Sequence, residues 1–278
     1  MKKILLAITA LGLLTGGQAF AKTDPEADLK AFRDYFYKRF PDTAKDDFIN
    51  GVYSIDPASR EQWEAIEEFP PYELNISNGE IVFNKKFKNG KSLASCFKNG
   101  GKGIKQNYPY FDAGTGKVKT LEQEINECLE KNGEKPFKYK KGKMADVSAY
   151  MTYTSRGKKI NVVIPDDPRA IKAYEAGKRH FYAKRGQLNF SCADCHVYNA
   201  GNKIRADLLS PALGHVSHFP VYRSKWGGMG TMHRRYGGCN KQVRAKPFKA
   251  QSDEYRNLEY FHTYMSNGLE VNGPGARK

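Results

Sequence analysis

Apolar residues recur at helical spacing in several separate stretches of the chain. Leu29, Phe32 and Phe36 fall on one face of a helix predicted over residues 24–41. Leu121, Ile125, Cys128 and Leu129 do the same in a helix starting near Thr120, where Thr120 and Gln123 have the spacing of a capping box. Another helix is predicted from just after Pro168 through Gly177-Lys178-Arg179-His180-Phe181-Tyr182. The last helix opens at Asp253, a residue suited to cap it, and carries Leu258, Phe261 and Met265; Gly268 and Pro274 lie beyond its end. Strand content is small and predicted around Glu80–Phe83 and Ile160–Ile164. These patterns predict a mainly α fold.

The pattern also repeats. A shift of 111 positions lays Lys135-Pro136-Phe137-Lys138 on Lys246-Pro247-Phe248-Lys249, and Thr152-Tyr153 on Thr263-Tyr264. Ser155 falls on Ser266, Gly157 on Gly268, Val147 and Tyr150 on Leu258 and Phe261, and Cys128 on Cys239. One tetrapeptide match is weak, but a shared offset across the tetrapeptide, the helix and the cysteine predicts two related domains. Their expected bounds are residues 50–160 and 161–278, after an N-terminal helical segment at residues 22–49.

Residues 1–21, MKKILLAITALGLLTGGQAFA, place two lysines before a short apolar run and end on Ala-Phe-Ala. That order is the pattern of a cleaved export signal, and the run is too short to span a bilayer. No later stretch approaches a membrane span. The mature chain is expected in the periplasm, an oxidising space where disulfides persist. The formal charge of +16 and pI near 9.5 suggest anionic partners such as acidic proteins or small anions; export argues against nucleic acid.

Five cysteines are present. Cys192-Ala-Asp-Cys195-His196 is a C-x-x-C-H motif, which in an exported chain predicts covalent attachment of haem c. Two thiols add across the haem vinyl groups and His196 ligates the iron. The alternatives are a redox disulfide, which does not require the histidine, and half of a zinc site, which needs further ligands. Cys96 begins no such motif. In an oxidising space Cys96 and Cys128 are expected to pair, stabilising the fold by about 3–4 kcal/mol on the chain-entropy account; two separate buried thiols are the alternative. The odd cysteine, Cys239, stands in the repeat where Cys128 does, and so beside the predicted haem as a candidate sixth ligand. Met229, Met232, Met265, His215, His218, His233 and His262 compete for that position.

Several segments together resemble the SoxA family, the larger cytochrome c subunits of the SoxAX thiosulfate-oxidising enzymes. They are Cys192–His196, Asp207-Leu-Leu-Ser-Pro-Ala-Leu-Gly-His215, His218-Phe-Pro-Val-Tyr-Arg223, His233-Arg-Arg-Tyr-Gly-Gly-Cys-Asn-Lys241 and Tyr255–Phe261. The resemblance implies two cytochrome c-like domains related by internal duplication, the first without haem, and a single haem c on the chain. It implies an L-cysteine S-thiosulfotransferase that joins thiosulfate oxidatively to a cysteine of a SoxYZ-like sulfur carrier. Electrons would leave through haem to a SoxX-like small cytochrome c, the partner in a heterodimer. By the same resemblance Cys239 is an axial ligand and the catalytic sulfur, found as a persulfide, and Arg235 contacts substrate. The residues suit this chemistry independently. Arg234 and Arg235 offer guanidinium forks to a sulfonate, although haem propionates could also claim them. Gly237 and Gly238 leave room for an incoming carrier arm. The rival functions are a soluble electron-transfer cytochrome without its own sulfur chemistry, and a haem-thiolate redox sensor.

Overall fold

The computed structural model describes residues 23–277; the expected export signal at residues 1–21 lies outside them. Helix α1 (Pro25–Arg39) begins where the Asp24 carboxylate accepts from the amides of Glu26 and Ala27, both at 3.0 Å, with Pro25 in the first helical position. Phe32 and Phe36 on its inner face are buried against Phe48 and Phe181. Its Asp28 accepts from Tyr174 at 2.8 Å and Lys178 at 2.6 Å, which fastens α1 to the second half of the chain.

A 3₁₀ segment, Lys45–Ser54, leads to α2 (Pro57–Glu67) and α3 (Glu73–Asn84). A hairpin of β1 (Tyr110–Asp112) and β2 (Lys117–Lys119) precedes α4 (Leu121–Lys131) and α5 (Lys143–Tyr153). The second half runs through α6 (Pro168–Tyr182), a small hairpin of β3 (Lys203–Ile204) and β4 (Asp207–Leu208), β5 (Val221–Arg223) and β6 (Gly228–Gly230). It ends with α7 (Met232–Gln242), α8 (Asp253–Tyr264) and β7 (Gly275–Arg277). The order β6-β5-β7 makes a small mixed sheet, with β5 antiparallel to β6 and parallel to β7.

Two helix pairs organise the apolar interior. Against α5, α3 comes so close that a Cβ on Gly79 would overlap the carbonyl oxygen of Asp146. Gly177 does the same for α6 against the carbonyl of Asn257 on α8. Around the first pair lies a core that includes Phe83, Leu93, Leu121, Ile125, Met144 and Met151. Around the second lies a larger one that includes Phe36, Tyr174, Phe181, Leu258 and Phe261. Each fully buried side chain of this size contributes roughly 1.5–3 kcal/mol. Phe111 and Val118 of the first hairpin reach into the larger core. Cys96 and Cys128 are joined by a disulfide with Cα atoms 5.9 Å apart, and Cys128 is buried in the first core.

Three sequence expectations change. Residues 80–83 were expected as a strand but lie inside α3, because Ile76, Gly79 and Phe83 share a helical face that docks on α5. Packing overrides their strand propensity. Residues 160–164 form no strand either. The Ile160 amide donates to the Leu269 carbonyl at 2.8 Å and the Val162 amide to the Asn267 side chain at 2.9 Å, so a loop supplies the partners. At α4, Thr120 caps the Gln123 amide at 3.2 Å, but the Gln123 side chain bonds Glu127 and Arg256 and leaves the capping box half-made.

The seam between α4 and α8 is polar. Glu122 is 5% exposed and Glu259 3% exposed. Glu259 stands 3.1 Å from His233 Nε2 and 3.9 Å from Lys105 Nζ. Burial raises the Glu122 carboxyl above its ordinary value of 4.5, with Glu259 adding to the rise and Lys105 opposing it. Burial acts on Glu259 in the same sense, but His233 and Lys105 outweigh it and hold this group low. A raised carboxyl lowers folding stability progressively as pH climbs above its unfolded value, because the native state binds the extra proton. Glu122→Gln is therefore expected to raise the thermal unfolding midpoint at pH 7.5, with the gain vanishing below about pH 4.5. Unfolding scans across that range check it; an equal gain at both ends would place the effect elsewhere.

Candidate active site

Helix α6 aims the chain at the C-x-x-C-H turn. Asp167 caps its start on the Arg169 amide at 2.8 Å, and Pro168 occupies the first position. After the helix ends at Tyr182, Ser191 and Asp194 lock the turn reciprocally. Asp194 accepts from the Ser191 amide at 2.8 Å and hydroxyl at 2.9 Å, and the Asp194 amide donates back to the Ser191 hydroxyl at 2.9 Å. Burial alone would raise the Asp194 carboxyl, but these bonds and Lys184 hold it below the usual range. The backbone then makes a single π-type turn, Asp194–Tyr198.

His196 Nδ1 lies 2.9 Å from the Ser210 carbonyl. A carbonyl only accepts, so Nδ1 carries the proton and Nε2 keeps its lone pair for a metal. Burial brings the His196 pKa down to about 4, which keeps the ring neutral, as a ligand must be. Burial also pushes the Cys192 thiol up to about 12, with Cys239 and Cys195 acting in the same sense; Cys195 is raised by burial and by Cys239. The third thiol thus stands within electrostatic reach of the other two. Two thiols beside an imidazole with a free Nε2 are the donor set that covalent attachment of haem c uses, and a third thiol stands close by. Among the described residues no three His, Cys, Asp or Glu side chains gather as a bare metal site.

Cys239 comes from α7. Arg235 precedes it by four residues, so the two share a helix face. Arg234 is turned away: its Nη1 donates to the Met229 carbonyl at 2.8 Å and its guanidinium lies 4.2 Å from the Trp226 ring centre. Arg235 instead acts electrostatically on Cys195, His196, His215 and His218. A side chain at Gly238 would meet nothing within 4 Å, so this stretch of α7 faces open space. Asn240 donates to the Tyr236 carbonyl and the Tyr255 hydroxyl, both at 2.9 Å, and ties α7 to α8.

The competing ligands have other surroundings. Met232 and Met265 are packed in the larger core, and Met229 lies in a cluster with Tyr72, Ala145, Ala149 and Ala276. His233 faces Glu259. His215 stacks edge-on against His196 with ring centres 4.5 Å apart and shares a 2.6 Å hydrogen bond with the Ser210 hydroxyl. His262 is paired through Nδ1 with the Tyr236 hydroxyl at 3.1 Å and is brought down to about 4 by burial. His218 is held low by burial and by Arg277 and Arg223.

One residue of this neighbourhood was not singled out from sequence. Arg223, at the end of β5, is driven down to about 10 by burial and by Arg235, while the Cys239 thiol acts in the opposite sense. It stood within a quoted motif, but only strand placement brings it to α7.

The SoxA/TsdA cytochrome c domain family matches residues 78–160. With the helical fold and the thiol-thiol-imidazole turn, this makes the chain a c-type cytochrome. It is 57% identical to the L-cysteine S-thiosulfotransferase subunit SoxA of Allochromatium vinosum over 255 residues, 91% of this chain and 90% of that protein. It is 56% identical to the SoxA subunit of Chlorobaculum tepidum over 91% of this chain and 88% of that one. A crystal structure of SoxXA from P. pantotrophus superposes with a TM-score of 0.72 at 35% identity, covering 78% of this chain and 84% of the other. The chain belongs to the SoxA family.

The Trp226 stack gives Arg234 a structural role. Arg234→Ala should destabilise the holoprotein by about 1–2 kcal/mol, from one lost hydrogen bond and one lost cation–π contact. Haem content should stay unchanged. Denaturant unfolding and a pyridine haemochrome assay check the two halves of this expectation.

Proposed function

We propose that this chain is the haem subunit that couples thiosulfate oxidatively to a cysteine of a SoxYZ-like carrier, with Cys239 as the reacting sulfur and Arg235 as the substrate clamp. The observation that carries this reading is the placement of Arg235 and Cys239 one helical turn apart on α7, with the electrostatic influence of both reaching the Cys192–His196 turn. The names of the relatives, L-cysteine S-thiosulfotransferase subunits, support the activity. The likeness to SoxXA supports a SoxX-like cytochrome as partner. The leader-like residues 1–21 support a periplasmic location.

Cys192 and Cys195 would hold haem c covalently, His196 would ligate its iron through Nε2, and Cys239 would be its other protein ligand. When bound, haem supplies one-electron redox chemistry that connects the site to the partner cytochrome. Joining thiosulfate to a carrier thiol forms one sulfur–sulfur bond and releases one proton and two electrons. Arg235 receives the sulfonate oxygens through its guanidinium fork. The surrounding imidazoles are neutral, so the arginines set the charge that the dianion meets. Open space at Gly238 admits the carrier arm.

The same reading makes residues 50–160 a haem-less cytochrome c-like domain and residues 161–278 its haem-bearing duplicate, with one haem per chain. In its support, the 111-residue shift carries α4 onto α7 end for end, with a threonine before each, and α5 onto α8 within one residue. Both halves use a glycine at the tightest helix crossing. The cytochrome c domain family matches the half that has no C-x-x-C-H.

Substitution at Cys239 separates this function from plain electron transfer. Cys239→Met offers iron a thioether but no thiolate or persulfide, so a low-spin haem spectrum with collapsed thiosulfate–carrier coupling is expected. Near-wild-type turnover would make Cys239 a ligand only. Arg235→Ala should lower kcat/KM for thiosulfate by about 10- to 100-fold, the scale of a lost charge-assisted hydrogen bond, with haem content intact. Steady-state kinetics with reduced cytochrome as the readout measures it; unchanged kinetics would remove Arg235 from the substrate site.

A further inference from the structure

Arg223 lies on a three-residue strand whose side chains alternate between two faces. Tyr222 packs on the small cluster of Tyr72, Ala145, Met229 and Ala276. Val221, on the opposite face, is 1% exposed in the larger core with Met232 and Tyr236 of α7. Successive strand residues point to opposite faces, so Arg223 follows Val221 inward, toward α7, and not outward with Tyr222. There it stands within electrostatic reach of Arg235 and of the Cys239 thiol. Its guanidinium centre is 5.6 Å from the Trp226 ring centre, on a ring that Arg234 also covers.

The local charge balance is unusual. Arg277 sits opposite Arg223 in the parallel pairing of β7 with β5, but its charge rests over Tyr53 and Trp63, 4.9 and 5.7 Å from their ring centres. The carboxylate nearest in effect to Arg223 is Asp207, which ranks after Arg235, Cys239 and Tyr53 among its charged influences. Two half-buried guanidiniums therefore lie near one sulfur site, repelling each other. Like charges brought together out of water destabilise a fold unless an anion joins them. A dianion with tetrahedrally arranged oxygens supplies two charges and enough acceptors for two forks.

We infer that Arg223 is a second substrate-binding guanidinium, which works with Arg235 on the sulfonate end of a dianionic sulfur substrate at Cys239. This rests on the proposed function, and it moves the second fork from Arg234, its neighbour in sequence, to a strand eleven residues upstream.

The test uses haem-loaded full-length protein and two probes, thiosulfate in turnover and inorganic sulfate in direct calorimetric binding. Arg223→Ala should raise the KM for thiosulfate and weaken sulfate binding by about ten-fold or more. Arg223→Lys, which keeps the charge but loses the fork, should recover part of both. Arg234→Ala should leave sulfate binding unchanged. Wild-type turnover with unchanged KM and unchanged sulfate binding in Arg223→Ala would overturn the inference while leaving the proposed function standing. A shifted haem midpoint potential in Arg223→Ala with sulfate binding intact would assign Arg223 to the haem carboxylates, and also overturn it. Failure of the wild-type protein to bind or couple thiosulfate would overturn both readings, and that result is visible before any variant is made.

Discussion

The contact on which the second half of the chain depends is the backbone-to-backbone approach of α6 and α8 at Gly177. No side chain fits there, so the two helices meet with the Asn257 carbonyl against the glycine. This approach lets Tyr174 and Phe181 of α6 interlock with Phe261 and Tyr264 of α8. The C-x-x-C-H turn follows α6, while α8 holds α7 through Asn240 and Tyr255. The two thiols and the imidazole thus reach the third thiol through a chain of rigid elements. A looser crossing would move the two groups relative to each other and leave each intact in its own element.

Electrostatics then decides what that geometry can do. Burial removes the proton from His196 and His262, so their rings carry no charge near neutrality. The same burial leaves Arg223 charged, because a guanidinium lowered to about 10 remains protonated near neutrality. The outcome is a site with neutral imidazoles and positive charge on its arginine side. Trp226 contributes indirectly: it takes up Arg234 and so leaves the Cys239 face of α7 to Arg235.

The halves meet through a seam of a different kind. Glu122, Glu259, Lys105 and His233 are buried together between α4 and α8, and Arg256 bonds Gln123 at 2.7 Å across the same boundary. Groups of this sort cost desolvation and return it only in one arrangement. They orient the disulfide-bearing half against the half with the C-x-x-C-H turn more specifically than an apolar seam would. The hairpin of β1 and β2 adds Phe111 and Val118 to the larger core, so the two halves also share apolar contacts.

Much of this was legible along the chain, for a physical reason. Helical faces, caps and the spacing of Cys192, Cys195 and His196 are set by residues within one or two turns of each other. Periodicity and capping signals therefore placed α1, α4, α6 and α8, whereas α7, the helix that puts Arg235 and Cys239 on one face, was not predicted. Long-range contacts account for what was missed. Residues 80–83 have strand propensity, but docking on α5 through Gly79 makes them helical. Gln123 has the spacing to complete its capping box, yet Arg256, 133 positions away, takes its oxygen. Arg234 and Arg235 look equivalent in sequence and part company only because Trp226 and the Met229 carbonyl claim one of them. Arg223 is distant from Cys239 along the chain and joins it through a strand too short for periodicity to reveal. Local order follows from the amino-acid sequence; the partners of each charged side chain were decided by the fold, because charge acts through space and not along the chain.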